Sequence, residues 1–380
     1  MKLSILLPII FLFVGLVGGY IFFSFVSESY ESSQQPLNNV GEKEPLSLFL
    51  DIWAGYAPAI IALEKGFFEK RGVNVNINVT SDYSNLPDKL KRYDGFFGTY
   101  PRAILLNGQG TPVKVVYVSD FSDGADVIVS KPEIKNVKDL EGKTISVEEL
   151  DTYSHLFVIS LLNKFGVEEA SVNFVEIHPS KIIEALEEDR IDAGHTWEPT
   201  QTQAIDMGYK LLITSVDTPR IITDVLILNE DVVKNRNNDV RMIVDGLFEA
   251  LEFIDKNPDE AHIIIDKKLG IPKKEFENSV KWLKFPNREE NVQAFTELES
   301  DYDLTSLYES GKFISEFYVT RGLINGSVDV NALLDSRFVR GDENPIKIIS
   351  PIIVVILILI LILSGFFIGR YFDLFKEGRK

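Results

Sequence analysis

A strand–helix–strand unit at residues 45–79 limits the possible fold of this chain more than any other stretch. Residues 45–51 (PLSLFLD) alternate as a half-buried strand does. Residues 57–65 have helix-forming composition, with Pro58 in the first turn, where proline is tolerated. Residues 73–79 (VNVNINV) alternate again and predict a second strand. The stretch therefore predicts one βαβ unit of an α/β fold.

The alternation of strands and helices continues to residue 229. It predicts helices at 84–93, 99–110, 152–166, 180–190 and 202–208, and strands at 93–98, 112–120, 122–131, 143–149, 172–178, 191–197, 209–215 and 223–229. Such alternation is typical of mostly parallel sheets with helices on both faces. Residues 231–322 are predicted to be almost wholly helical. Two α/β lobes joined by two crossings predict a hinged clamshell that closes over a ligand.

Two uncharged runs near the ends, 3–26 and 348–369, are each long enough to cross a bilayer, which takes roughly 20 apolar residues. The first is either an export peptide or an uncleaved anchor, and we favour the anchor because no small-residue cleavage site is clear. Basic residues follow the second run directly, so the positive-inside rule places the C-terminus in the cytoplasm. If segment 3–26 is not cleaved, Lys2 before it places the N-terminus in the cytoplasm as well. The middle of the chain would then lie outside the cell.

This reading divides the chain into six parts. They are the N-terminal transmembrane anchor or signal (1–26), a polar tether (27–45), lobe 1 (46–130 with 225–340), lobe 2 (131–224), a C-terminal transmembrane helix (346–369) and a cytoplasmic basic tail (370–380). The predicted fold is thus a two-lobed α/β clamshell with a transmembrane helix at each end. The membrane is an expected partner through these two anchoring helices.

Composition argues against several classes of function. The chain has no cysteine, which excludes disulfides, thiol nucleophiles, thiolate metal sites and a lipid-modified N-terminal cysteine. A formal net charge of −18 argues against nucleic acid as a partner. The histidines, His155, His178, His195 and His262, show no metal-ligand spacing. We therefore predict no metal, no cofactor and no enzymatic activity.

Five segments carry a resemblance to a known family: 53–75 (WAGYAPAIIALEKGFFEKRGVNV), 122–131 (SDGADVIVSK), 137–148 (VKDLEGKTISVE), 194–199 (GHTWEP) and 218–228 (TPRIITDVLIL). In their order and spacing, residues 46–322 resemble the nitrate/sulfonate/taurine-type substrate-binding proteins of ABC importers. That group also includes binders of thiamine-pyrimidine precursors. The resemblance implies a type II periplasmic-binding-protein fold, a small ligand in the cleft, and delivery to a permease with its ATPase. Synthases with this fold use a cysteine-rich iron motif that is absent here.

The resemblance also selects candidate ligand-binding residues. Trp53 and Tyr56 match the aromatic pair of the family's first loop, and their rings either bind ligand by stacking, apolar contact or cation–π attraction or pack partly in the core. Trp197 and Glu198 match the family's Trp-Glu-Pro turn after a strand. The other candidates lie at strand ends, at helix starts and near the hinge: Thr99, Tyr100, Ser122, Asp123, Gly124, Thr152, Ser154 and Asp224.

The charged candidates indicate what the ligand is not. Asp126, Glu198 and Asp224 face only Arg102, which is either a counter-charge or a surface residue, and Arg220. A bare dianion is disfavoured beside so many carboxylates, so a zwitterion or a polar heterocycle fits better. Helix N-termini argue against this inference, because they can hold an anion without help from a basic side chain.

The predicted function is the solute-binding component of an ABC importer that captures a sulfonate-like, taurine-like or pyrimidine-like ligand. Trp53, Tyr56 and Trp197 would form an aromatic clamp across the two lobes. The alternative is a ligand-sensing ectodomain that signals through a partner membrane protein. The sequence leaves both open, because an importer component and a sensor use the same cleft.

Overall fold

A computed structural model describes residues 44–218, 220–297 and 306–341 of the chain. The predicted membrane segments 1–26 and 346–369 and the tail 370–380 lie outside these residues, as does nearly all of the tether, so these parts stay predictions. Within the described ranges, no helix is both long enough and apolar enough to span a bilayer.

The described strands form two sheets. In chain order they are β1 (Leu46–Leu50), β2 (Val75–Val79), β3 (Gly95–Thr99), β4 (Val113–Ser122), β5 (Val127–Ser130), β6 (Thr144–Val147), β7 (Asn173–Glu176), β8 (Ala193–Thr196), β9 (Lys210–Thr214), β10 (Thr223–Asn229) and β11 (Leu283–Lys284). The first sheet has the order β11-β4-β10-β3-β1-β2 and the second has the order β7-β6-β8-β5-β9. The α/β class and the two-sheet organisation predicted from the sequence are both present.

The predicted mostly parallel sheets are wrong in detail, because both sheets are mixed. In the first sheet β1 pairs with β2 and β3 in parallel, but β10 runs antiparallel to both β3 and β4. In the second sheet β5 runs antiparallel to β8 and β9. The reason is that β5 and β10 enter their sheets from the other sheet and not through a βαβ crossover.

The helices follow the predicted pattern with shifted ends. They are α1 (Ala57–Glu64), α2 (Leu86–Lys89), α3 (Tyr100–Gly108), α4 (Tyr153–Lys164), α5 (Ile182–Glu187), α6 (Thr200–Asp206), α7 (Glu230–Asn235), α8 (Asn237–Lys256), α9 (Pro258–Leu269), α10 (Lys273–Ser279), α11 (Arg288–Ala294), α12 (Leu307–Thr320) and α13 (Val330–Leu333). The helix predicted at 84–93 is a single turn, and Asn85 directly before it has the left-handed conformation. The nearly all-helical stretch 231–322 also contains β11.

The chain passes between the sheets at two adjacent crossings. It leaves the first sheet after Ser122 and returns to it after Thr214, and the hydroxyls of Ser122 and Ser215 lie 2.7 Å apart. The backbone N–H of Gly124 also donates to the Ser215 hydroxyl at 2.8 Å. Gly124 has φ +106, and an added Cβ would lie 2.9 Å from Cε3 of Trp282. Glycine is therefore required at this point of the crossing.

The lobe boundaries at 130/131 and 224/225 stay predictions. β5 belongs to the second sheet, and Asp224, on β10, belongs to the first. If each residue is assigned to a lobe by its sheet, both boundaries lie a few residues earlier in the chain than predicted. Below, lobe 1 means the first sheet with its helices, and lobe 2 means the second sheet with its helices.

β1 lies near the centre of lobe 1 and is more buried than the sequence predicts. The alternation of residues 45–51 predicts a half-buried strand, but Leu48, Phe49 and Leu50 are all buried, so both faces of the strand are covered. β2, at the edge of the sheet, keeps the alternating exposure. A central strand in a two-sided α/β sheet loses its exposed face, which explains the difference.

A side chain closes the outer edge of β4. β11 pairs only with Phe121 and Ser122. Among the described residues, the rest of that edge has one isolated bridge, between Val115 and Leu334. The amide of Asn291, fully buried, accepts from Val118 N–H at 2.9 Å and donates to Val118 C=O at 3.1 Å. It thereby replaces the backbone of a missing strand.

We expect Asn291→Ala to lower the free energy of unfolding by about 3 kcal/mol, because each buried polar group left without a partner costs about 1–3 kcal/mol. Urea titration of the purified protein measures the loss. Asn238→Ala, at an exposed position of α8, is the matched control and should change stability by less than about 0.5 kcal/mol. Equal losses in the two variants would contradict the proposed role of Asn291.

Candidate functional site

The strand ends of the two lobes face each other across a cleft of about 560 Å³ that is open to solvent. Lobe 1 contributes residues after β1 and β3 and at the start of β10, and lobe 2 contributes residues near β5, β6 and β8. The cleft is lined by Asp51, Ile52, Trp53, Tyr56, Tyr83, Gly98, Thr99, Arg102, Asp126, Glu148, Tyr153, Trp197, Ile222 and Asp224.

Two tryptophans meet across this cleft. The rings of Trp53, which follows β1, and Trp197, which follows β8, are 6.5 Å apart at an interplanar angle of 82°. Edge-to-face contact of this kind is a favourable aromatic geometry. The indole N–H of Trp53 is buried and has no hydrogen-bond partner among the described residues, and the same is true of the Thr99 hydroxyl. The Thr99 hydroxyl lines the cleft and is available to a ligand, whereas the Trp53 indole N–H lies next to the Asp120 carboxyl.

A row of polar side chains crosses the floor of the cleft. Asp224 on β10 lies directly opposite Thr99 on β3 and Asp120 on β4. The Tyr56 hydroxyl donates a short hydrogen bond to Asp224. Burial raises the pKa of Asp224 to about 7, and the charge of Asp126 adds to the rise, while the Tyr56 hydroxyl opposes it. Asp224 therefore titrates near neutral pH.

Asp120 is a second buried carboxyl beneath the cleft wall. It is fully buried, and neither of its oxygens makes a hydrogen bond of ordinary geometry with a described residue. Burial and the neighbouring Asp224 raise the pKa of Asp120 well above its usual value, and the nearby indole N–H of Trp53 only partly offsets the rise. An added Cβ at Gly55 would lie 1.8 Å from an Asp120 oxygen and 2.6 Å from the Trp53 nitrogen. Glycine is required at position 55 because these two groups converge there.

A buried histidine links the cleft carboxyl Asp126 to the start of α4. His195 Nε2 lies 2.9 Å from Asp126 Oδ1, and its Nδ1 lies 2.7 Å from the Ser154 hydroxyl. The Ser154 hydroxyl also accepts from Glu148 N–H at 2.9 Å. An ionised carboxyl only accepts, so we assign the proton to Nε2, and Ser154 then donates to Nδ1. Because Ser154 and His195 are fully buried, this arrangement positions Asp126 and offers no nucleophile to a ligand.

Arg102 connects the two lobes at one side of the cleft. Its guanidinium lies 3.9 Å from Glu148 of lobe 2, and its carbon lies 4.8 Å from the Tyr83 ring centroid and 5.6 Å from that of Tyr153. Tyr153 in turn donates to Glu148 at 2.6 Å. Arg102 is therefore a cation held between aromatic rings and a carboxylate.

A second contact between the lobes lies at the end of α12. Arg321 pairs with Asp151 at 3.2 Å and with Glu169 at 2.5 Å, both from lobe 2. His155 lies beside these ion pairs, and its ring centroid is 4.4 Å from that of Phe174. It is buried away from the cleft.

The structure places only some of the predicted site residues on the cleft. Trp53, Tyr56, Thr99, Trp197 and Asp224 line it. The others do not line it. Tyr100 is buried and donates to Leu307 C=O, and the residues Ser122, Asp123 and Gly124 form the first crossing. Thr152 donates to Glu149 C=O, Ser154 lies behind His195, and Glu198 accepts from Thr202. Tyr100, Ser122, Thr152, Ser154 and Glu198 use their side chains in hydrogen bonds within the protein, and Asp123 and Gly124 use their backbone N–H groups. Their predicted role in ligand binding has no support in this geometry.

Several lining residues were not predicted. Asp51 and Glu148 directly follow β1 and β6, so the rule that ligands bind beyond strand ends could have found them. Tyr153 opens α4 but was passed over in favour of Thr152 and Ser154. Tyr83 lies in a loop without any sequence signal. Within the described residues, no group of three or more acidic or histidine side chains is arranged to hold a metal ion.

Comparison with known proteins places this cleft in a family. A family model described as "NMT1/THI5 like" matches residues 53–261. A putative binding protein of Brucella abortus is 26% identical over 253 residues, covering 64% of this chain and 76% of that protein. A putative aliphatic sulfonates-binding protein of Bacillus subtilis is 22% identical over 312 residues, covering 78% and 88%.

Solved structures support the periplasmic-binding-protein fold. The ligand-binding component of an ABC-type import system from Staphylococcus aureus has a TM-score of 0.62 at 14% identity, covering 78% of this chain and 98% of that one. The desulfurization enzyme DSZB also matches, with a TM-score of 0.56 at 15% identity over 77% and 97%. The fold alone therefore does not separate binding proteins from enzymes. The relatives named above are binding proteins, and the absence of catalysis stays a prediction.

The raised pKa of Asp224 predicts a pH dependence of stability. Between the ordinary carboxyl pKa of about 4 and the folded value of about 7, the folded protein holds a proton that the unfolded chain releases, so stability falls as pH rises through this window. Between about pH 5 and pH 7 the contribution is about 2 kcal/mol.

Asp224→Asn should remove that contribution, which urea titrations across the same pH range would measure. Asp206→Asn, an exposed carboxyl on α6, should keep the wild-type pH dependence. If wild type and Asp224→Asn lose the same stability between pH 5 and 7, Asp224 does not titrate in this range.

Proposed function

The chain belongs to the NMT1/THI5-like family, and we propose that it is the extracytoplasmic solute-binding component of an ABC importer. It captures a small organic ligand in the cleft between its lobes and delivers it to a permease with its ATPase. One observation carries the proposal: Trp53 and Trp197 come from different lobes and meet at 6.5 Å over a cleft lined by polar groups.

The links between the lobes support a cleft that opens and closes. The crossings are two short segments held together by the Ser122 and Ser215 hydroxyls. Away from these crossings, described contacts between the lobes include an ion pair at Arg102 and another at Arg321. Ion pairs of partly exposed groups contribute about 1 kcal/mol or less, so they can break and re-form as the lobes move about the crossings.

The ligand belongs to one of two chemical classes, sulfonate-like or taurine-like on one side and pyrimidine-like on the other. A relative is named as an aliphatic sulfonates-binding protein, which supports the first. The rings of Trp53, Tyr56 and Trp197 and the carboxyls of Asp126 and Asp224 support a flat or amino-bearing ligand over a plain sulfonate. We therefore propose an amino sulfonate or an amino heterocycle.

A thermal-shift screen of the purified full chain with sulfonates, amino sulfonates, pyrimidines and nitrate tests the proposal. A ligand at 100 times its dissociation constant should add about 2.7 kcal/mol of stability. Trp197→Ala should abolish the shift, because it removes one side of the clamp. Phe313→Ala, an exposed aromatic on α12, is the control and should keep it. Absence of any shift across the screen, or an unchanged shift in Trp197→Ala, would reject the proposed clamp.

A further inference from the structure

The charges around the cleft are strongly unequal. Among the described residues that line it, four carry carboxyls, Asp51, Asp126, Glu148 and Asp224, whereas Arg102 is the one with a basic side chain. Asp120 adds a fifth carboxyl behind the wall. Arg102 is already paired with Glu148, so it is not free to neutralise a ligand anion or the remaining carboxyls.

The helix N-termini do not reverse this imbalance. α1, α3 and α4 begin beside the cleft, since Tyr56 and Thr99 directly precede α1 and α3 and Tyr153 is the first residue of α4. Each N-terminus is equivalent to roughly half a positive charge. Together with Arg102 they amount to about two and a half positive charges. Against them stand the carboxyls of Asp51, Asp126 and Glu148 and that of Asp224, which its raised pKa leaves partly protonated. A sulfonate or nitrate ion would enter a site whose field is negative on balance.

Two of the carboxyls are positioned by donors and not by cations. Asp126 contacts His195, whose side chain is buried, and Asp224 accepts a hydrogen bond from the Tyr56 hydroxyl. Both carboxyls line the same cleft as Trp53 and Trp197, Asp224 from lobe 1 and Asp126 from lobe 2. Buried carboxyls without a cation are costly, and they are retained where a positive group completes the site.

The cleft also shows how it would hold a cation. The Arg102 guanidinium lies against Tyr83 and Tyr153 with Glu148 at 3.9 Å. The rings of Trp53 and Trp197 and the carboxyls of Asp126 and Asp224, which line the same cleft, offer a second combination of aromatic rings and carboxyls. Such a combination binds planar or alkylated nitrogen cations.

We propose that the ligand carries a protonated nitrogen, an ammonium or amidinium group, that binds between Asp126 and Asp224, while its carbon frame lies between Trp53 and Trp197. This inference rests on the proposed function, since it names the ligand class of the same cleft. The Thr99 hydroxyl, which has no hydrogen-bond partner among the described residues, then donates to an acceptor elsewhere on the ligand.

Three probes of similar size and different charge test this inference: benzamidine, a cation, benzamide, which is neutral, and benzenesulfonate, an anion. Calorimetry with the full chain at neutral pH should show benzamidine binding at least about tenfold tighter than benzamide, since a charge-assisted hydrogen bond contributes at least that factor. Benzenesulfonate should bind weakest of the three.

Two substitutions locate the binding. Asp126→Asn should weaken benzamidine binding about tenfold and leave benzamide binding unchanged. Asp224→Asn should have the same effect and serves if Asp126→Asn does not fold, which circular dichroism would detect. Asp206→Asn, exposed on α6, should leave all three affinities unchanged.

The inference is overturned if benzenesulfonate binds as tightly as benzamidine, if no cation binds, or if both Asn variants keep wild-type affinity for benzamidine. Anion binding that disappears in Trp197→Ala would overturn the charge assignment and leave the solute-binding function in place. If none of these probes and no compound of the thermal-shift screen binds, the proposed function is rejected along with the charge assignment.

Discussion

The antiparallel pairing of β10 with β3 and β4 is the constraint on which the rest of the structure depends. β10 returns from lobe 2 and inserts between two strands of lobe 1, so it fixes the second crossing and makes the sheet mixed. The same register places Asp224 opposite both Thr99 and Asp120. The floor of the cleft is therefore built by a strand pairing, and its polar side chains are positioned as rigidly as the sheet itself.

The carboxyls at the cleft lower the stability of the folded protein and are available for ligand binding. Directly opposed carboxyls in a sheet are unfavourable, and a buried carboxyl without a partner is more so. Asp120 and Asp224 are directly opposed, and Asp120 is also buried without a hydrogen-bond partner among the described residues. Burial raises the pKa of both carboxyls, and the charge of Asp224 raises that of Asp120 further. Functional sites are where such violations of the ordinary rules concentrate, because the missing interactions are supplied by the ligand.

The sequence predicted the fold better than the site. Strand–helix alternation predicted the two sheets, and β10 was predicted with its observed ends, because period-two and period-3.6 patterns report local burial. It could not predict that β5 and β10 run antiparallel, since that depends on where a strand enters another sheet. Trp53 and Trp197 were predicted because they match the first loop and the Trp-Glu-Pro turn of the family, and both line the cleft. Tyr83 was not predicted because a loop carries no periodicity. Tyr100 was predicted from its place at a helix start, which does not say which way a side chain points, and it is buried and donates to Leu307 C=O.

The central claim is that a ligand binds between Trp53 and Trp197, and fluorine NMR of the protein labelled with fluorotryptophan tests it most directly. The chain has three tryptophans, and the third, Trp282, lies at the crossing beside Gly124 and outside the cleft. On addition of the tightest-binding compound, the account predicts large shifts of the Trp53 and Trp197 signals and a smaller change at Trp282. Binding that leaves the Trp53 and Trp197 signals in place would contradict it.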